Sequence, residues 1–215
     1  MLTDAQIDRY SRQIILPEVG GVGQERLLAA RVRILAETGD LSPALQYLTG
    51  AGIGTIRLDC PDGPGRVGEL IAAAAELNPD VRLEPAGDSC GEVALVLAGS
   101  HRVIEAARRL NQAAACPQAV FARLGPPYLI AVLTSRPPCL ACAAPGLLGP
   151  LECEKTSPLI AIAAAAELIK HLLAPAAASR MVEFSGYQSR AQELKPEPRC
   201  AVCKPDQNGI EHGLA

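Results

Sequence analysis

The stretch VRILAETGDLSPALQYLTGAGIGTIRL, Val32 to Leu58, constrains the fold more than any other part of the chain. It opens on an aliphatic β run, turns, carries a helical segment, turns again on glycines and returns to a β run. A strand, a helix and a second strand in that order require a crossover, which sets the two strands parallel in one sheet. The first turn reads Ala-Glu-Thr-Gly-Asp-Leu. Carboxylates therefore stand where the start of a helix otherwise receives an anion.

The same alternation continues downstream. Runs rich in Val, Ile and Leu predict strands near 32–36, 55–59, 81–85, 93–98, 118–123 and 128–134. Helical patterns fall near 43–50, 66–77, 102–115 and 158–173, after a short helix over 3–13 opened by Thr3 or Asp4 and a second over 24–30. Residues 180–199 read as two short strands joined by SGYQ, an antiparallel edge. The expected class is α/β: a mainly parallel sheet with helices on both faces. The GAGIG run at 50–54 follows a helix rather than a strand, so it reads as a helix-ending turn in which Gly50, Gly52 or Gly54 takes positive φ.

Composition narrows the class of partner. The chain has 215 residues, enough for one α/β domain with a proper core, and is 49% hydrophobic and 20% charged. Its net charge of -3 argues against duplex nucleic acid, which calls for a basic face. No run approaches the ~18 apolar residues of a membrane span. The opening MLTDAQIDRYSRQ has no apolar signal core, so a cytoplasmic location is expected.

Eight cysteines are many for such a chain. Cys60, Cys90, Cys116 and Cys153 are scattered, whereas Cys139 with Cys142 and Cys200 with Cys203 form two C-x-x-C pairs. In a reducing compartment paired C-x-x-C units read as metal ligands, because one tight turn offers two thiolates to a tetrahedral zinc ion. The alternative is four incidental thiols. The 57 residues 143–199 separate the pairs, so the metal would staple the C-terminal part onto the sheet. A closed four-thiolate site has no open position, and its role would be structural.

RYSRQIILPEVGGVGQERLL, ALQYLTGAGIGTIRL, LNPDVRL, APGLLGP and the pairs in PPCLAC and PRCAVC follow one another along nearly the whole chain. Together they resemble the MoeB/ThiF/HesA family, relatives of the ubiquitin-activating enzymes. The resemblance implies one Rossmann-like domain over 1–215: an N-terminal helical arm at 1–31, a nucleotide-binding-like core at 32–135, a zinc-stapled part at 136–205 and a disordered tail at 206–215. It also implies a dimer, a structural zinc, and adenylation of the C-terminal glycine of a small ubiquitin-like sulfur carrier with ATP and Mg²⁺.

The family turn G-x-G-G-x-G falls here on Ala36, Thr38, Gly39 and Leu41, which leaves Gly39 alone. Those glycines let bare backbone approach the phosphates. Glu37 and Asp40 flank the turn, and a carboxylate about 4 Å from a phosphate oxygen costs about 4 kcal/mol at an effective dielectric near 20. Asp59 or Asp62 stands for the family's ribose- or metal-binding acids, but the S-N-L-x-R-Q segment that grips phosphate is missing from LDCPDGPGRVGEL. The family lysine falls at Arg66, and the Mg²⁺ aspartate of D-C-T-D-N at Gly99 in LAGSH. The loop after the first cysteine pair has shrunk to Ala-Ala, with Cys153 nearby. ATP and Mg²⁺ binding are therefore doubtful.

Arg12 matches the family arginine that reaches across the dimer to the partner's nucleotide; otherwise it caps or salt-bridges its own helix. His101 reads as a base at a strand end or as a solvent-facing helix-start residue. Cys153 reads as a persulfide or thioester carrier or as a plain surface cysteine. The expected function is a degenerate, non-adenylating scaffold, or a heterodimer partner of an active family member, acting on a ubiquitin-like sulfur carrier. The alternative is a divergent adenylyltransferase or sulfurtransferase using Arg66, Asp62 and Arg12.

Overall fold

A computed structural model describes residues 1–63, 67–87, 93–112, 118–140, 142–143, 156–185, 188–198 and 200. The strands are β1 (Arg31–Ala36), β2 (Thr55–Asp59), β3 (Arg82–Pro85), β4 (Val93–Ala98), β5 (Ala119–Arg123), β6 (Tyr128–Leu133), β7 (Arg180–Ser185) and β8 (Gln188–Glu193). The helices are α1 (Asp4–Ile14), α2 (Gly20–Ala29), α3 (Thr38–Ala51), α4 (Val67–Ala75), α5 (His101–Gln112) and α6 (Pro158–Leu173). All eight strands form one sheet in the order β3-β2-β1-β4-β5-β6-β7-β8. The chain moves outward from β1 through β2 to β3, then returns to place β4 on the other side of β1. That reversal opens a crevice beyond the carboxyl ends of β1 and β4.

β3, β2, β1, β4 and β5 run parallel, while β6, β7 and β8 are antiparallel. The reversal begins one strand earlier than the two tail strands read from sequence. Only residues 124–127 join β5 to β6, too few for the crossover that a parallel pair needs.

Both faces of the sheet are covered, as the doubly apolar strand runs require. β4 is buried at every position and β1 at all but its first. On one face Ile34, Ile56, Leu95 and Val120 pack against α3 and α6 through Leu41, Leu45, Leu48, Ala161, Ala164 and Leu168. The small side chains of α6 let its axis lie close to α3 and the sheet. On the other face Leu35, Val96 and Phe121 meet Val103, Ile104 and Ala107 of α5, with Leu140 and Ala143 closing the same cluster. Among the described residues no helix is long and apolar enough to cross a membrane.

The N-terminal arm is held by specific contacts. Thr3 and Gln6 form a reciprocal capping box, with hydrogen bonds of 3.3 and 3.1 Å. Tyr10 is fully buried, and its hydroxyl accepts from Asn78 Nδ2 at 2.9 Å and donates to Asp80 Oδ2 at 3.1 Å. Gly52 ends α3 with φ +83°, which locates the positive-φ residue of the GAGIG turn. A Cβ there would lie 2.7 Å from the Tyr10 ring and hydroxyl, so the arm packs directly on bare backbone.

Candidate functional site: the strand-end crevice and the cysteine cluster

Helix α3 begins at Thr38, five residues before the expected start near 43, and Pro43 lies inside the helix. The earlier start becomes possible because a distant residue caps it. Asp62 accepts hydrogen bonds from the Thr38 amide at 3.1 and 3.2 Å and from the Thr38 hydroxyl at 2.6 Å. Burial of the carboxylate opposes its charge, but the Thr38 hydroxyl and amide and the Arg102 guanidinium outweigh it and hold Asp62 below its ordinary range.

Glu37 occupies the N-cap position yet makes no cap bond. It turns instead across the switch point, where Ser100 Oγ donates to its Oε1 at 2.6 Å. Asp40 accepts from Thr156 Oγ1 at 2.5 Å. Its carboxylate lies against the backbone of Gly99, where a Cβ would meet Asp40 Oδ2 at 1.9 Å. Burial raises the Asp40 carboxyl above its ordinary range; the Thr156 bond works against this, and the charges of Glu37 and Asp62 add to it. A crevice of about 160 Å³ remains there, lined by Gly39, Asp40, Leu124, Thr156, Ser157 and Pro158.

Asp59 does not share this crevice's chemistry. It is ion-paired with Arg33, a 90%-buried guanidinium side chain on β1 that also donates to Gly87 O at 3.4 Å. Cys60 is half-buried, and burial together with Asp62 and Asp59 pushes its thiol up to about 11. Arg66 and Cys153 lie outside the described residues, as do Cys90 and Cys116. His101 is exposed at the first position of α5. Arg12 is exposed near the end of α1 and has no ion-pair or hydrogen-bond partner among the described residues.

Arg33, Ser100 and Thr156 were not singled out in the sequence. Only Arg33 carried a signal: an arginine inside a buried strand calls for an anionic partner.

On the opposite side of the sheet the cysteines converge. Sγ of Cys139 lies 3.9 Å from Sγ of Cys142 and 3.6 Å from Sγ of Cys200, and all three lie within 4.8 Å of one another. A tetrahedral zinc with Zn–S of about 2.3 Å sets its sulfurs about 3.8 Å apart, so the cluster fits such an ion. The Glu197 amide donates to Cys142 Sγ at 3.4 Å, a bond suited to a thiolate. Cys203 lies outside the described residues. Three cysteine sulfurs are thus positioned to hold a metal, 61 residues apart in sequence at their extremes.

No family model matches the chain. It is 38% identical over 125 residues to the SAMP-activating enzyme E1 of Haloferax volcanii, covering 49% of this chain and 46% of that protein. It is 50% identical over 54 residues to the sulfur carrier protein adenylyltransferase of Thermus thermophilus, covering 25% and 20%. The crystal structure of E. coli MccB shares the fold at a TM-score of 0.66 and 16% identity, covering 96% of this chain and 74% of that one. Over those stretches the chain is similar in sequence to these two curated proteins, and its fold is similar to that of MccB. It spans about half the length, or less, of the curated relatives it matches. In a sheet of this topology the crevice at the β1–β4 switch point is the place where the fold presents a ligand site.

Proposed function

We propose that this MoeB/ThiF-like chain is a non-adenylating scaffold or heterodimer partner in the activation of a ubiquitin-like sulfur carrier. The observation that carries the reading is the gathering of carboxylates at the start of α3, one of which, Asp40, lines the crevice. Glu37, Asp40 and Asp62 crowd the start of α3, and each carboxylate is tied to a neighbouring hydroxyl. Catalysis of phosphoryl and adenylyl transfer rests on positioning and neutralising phosphate charge. Here the side chains at the turn carry the wrong sign. The crevice is also small beside the roughly 300–1,000 Å³ of ordinary ligand pockets.

The retained arm supports a heteromeric role. Arg12 makes no ion pair among the described residues and lies on a helix fixed by Tyr10, Asn78 and Asp80. Beside it an apolar groove of about 460 Å³, lined by Leu16, Val19, Leu27, Tyr47 and Ile169, offers a partner apolar surface to bury. Ile15, Leu16 and Tyr47 are 77, 48 and 47% exposed around it. Zinc, held by Cys139, Cys142, Cys200 and Cys203, would fix the C-terminal part of a single domain over 1–215 to the sheet. The carrier partner is inferred from relatives whose names specify sulfur-carrier and SAMP activation.

Those same names favour the rival reading, a divergent adenylyltransferase. ATP–pyrophosphate exchange with a candidate carrier separates the two. The scaffold reading expects no exchange from this chain alone, and exchange in a complex with an intact family member that falls on Arg12→Ala. Exchange at ordinary enzymatic rates by this chain alone overturns it.

A further inference from the structure

We infer that β8 pairs edge to edge with β8 of a second copy of this chain, antiparallel and with Ala191 on the two-fold axis, so that one sheet continues across two subunits. The inference goes beyond the non-adenylating reading and does not depend on it. β8 ends the sheet order, and among the described residues β7 is its only strand partner. All six of its residues are exposed. Folded chains blunt such an edge with a proline, a bulge, a very short strand or charge. QSRAQE contains no proline, and its ladder with β7 runs unbroken through six consecutive pairs, from Ser185 with Gln188 to Arg180 with Glu193. Each charge on β8 stands opposite one of the other sign on β7, Arg190 opposite Glu183 and Glu193 opposite Arg180. The edge is therefore long, regular and charge-matched.

The backbone sets the register. The Leu194 amide donates to Ser179 O at 3.0 Å, one step beyond the pair of Arg180 with Glu193. Residues opposite one another in an antiparallel pair alternate between exchanging hydrogen bonds and turning theirs away. Gln188, Arg190 and Gln192 therefore bond to β7, and the amides and carbonyls of Ser189, Ala191 and Glu193 point out from the edge. An antiparallel second copy satisfies all of these in one register, with Ser189 opposite Glu193 of the second copy and Ala191 opposite its own counterpart. In that register Arg190 faces Gln192 and no like charges meet. Slipping the strands by two residues one way sets Arg190 against its own counterpart. Slipping them the other way leaves Ser189 without a partner in β8. The small side chain of Ala191 suits the axis, where any side chain meets itself. Such a pairing is isologous, so it uses up both edges and stops at two copies.

The test follows amide hydrogen exchange of the full chain, residue by residue, across a concentration series. The Arg190 and Gln192 amides should be protected at every concentration, because they bond to β7. Those of Ser189, Ala191 and Glu193 should gain at least tenfold protection as the concentration rises. Ala191→Pro removes one outward amide and leaves the β7 ladder whole, a change that an edge strand tolerates. It should weaken self-association in sedimentation at least tenfold without lowering the melting temperature of the dilute chain. Ala191→Glu covers the case in which the proline variant does not fold: it brings two carboxylates together on the axis and should weaken association at low salt, with partial recovery at high salt. Leu16→Glu, in the separate groove beside α1, should leave the β8 protection unchanged. Three results overturn the pairing: exchange at Ser189, Ala191 and Glu193 that does not depend on concentration, equal self-association of wild type and Ala191→Pro, or protection gained only when a sulfur carrier or an intact family member is added. None of them bears on ATP–pyrophosphate exchange, so the non-adenylating reading stands or falls separately.

Discussion

Replacing Gly52 by alanine tests how the N-terminal arm is seated. The residue ends α3 with φ +83°, a left-handed conformation that costs a side chain about 1–2 kcal/mol. The new methyl group would also stand 2.7 Å from Cζ and the hydroxyl of Tyr10. That ring has no free direction to move, because it is fully buried and its hydroxyl is fixed by Asn78 and Asp80. Overpacking of this kind costs about 1–3 kcal/mol. Gly52→Ala should therefore lose about 2–5 kcal/mol in urea unfolding, the sum of those two ranges. At about 2–4 °C per kcal/mol for a chain of this size, the melting temperature should fall by about 4–20 °C. In the Tyr10→Leu background the steric part disappears and only the backbone cost of about 1–2 kcal/mol remains. Because α1 carries Arg12, the single variant should also weaken any assembly that uses this arm. A loss below about 1 kcal/mol, or the same loss in both backgrounds, would refute the packing argument.

Three further outcomes follow from the cysteines and from a buried histidine. Purified protein should hold about one zinc per chain by elemental analysis, with Cys142→Ser and Cys203→Ser each losing it and melting earlier; full zinc in Cys203→Ser would remove that residue from the ligand set. Burial, with a smaller contribution from Arg180, holds His171 below its ordinary value of 6.5, and its Nδ1 accepts from the Ala176 amide at 3.3 Å while Nε2 meets Gln118 at 2.6 Å. The unfolded chain thus binds more protons at mildly acid pH, so stability should fall as pH drops below about 6.5, and His171→Gln should flatten that slope in denaturant titrations. With its thiol pushed up to about 11, Cys60 should alkylate at pH 8 about ten- to a hundredfold more slowly than an unperturbed thiol, read by mass spectrometry of the Cys60 peptide.

How far the fold could be read in advance depended on whether the signal was local. The strands at 55–59 and 93–98 and the helix at 158–173 coincide with β2, β4 and α6, because their apolar runs and bounding turns sit together in the chain. The start of α3 was misplaced because its cap comes from Asp62, and no window around Pro43 contains that residue. The antiparallel turn into β6 was written in the four residues 124–127 but passed unnoticed beside the stronger parallel pattern. Within the site, acids at 37, 40 and 62 were visible as residue types. The hydrogen bonds they accept from Ser100, Thr38 and Thr156 were not, since a serine or threonine at a strand end is an ordinary loop residue until another chain segment meets it.

By itself the sequence determined the alternation of strand and helix, and hence a sheet covered on both faces, because side-chain period and apolar content are local properties of the chain. It also placed two cysteine pairs in the same chain. Only the tertiary structure decided that Cys200 lies 3.6 Å from Cys139, and that three carboxylates converge on the start of one helix while Asp59 is diverted to Arg33. Those outcomes depend on which segments the sheet order brings side by side, and hydrogen bonds between residues 24 to 116 positions apart leave no periodic trace in sequence.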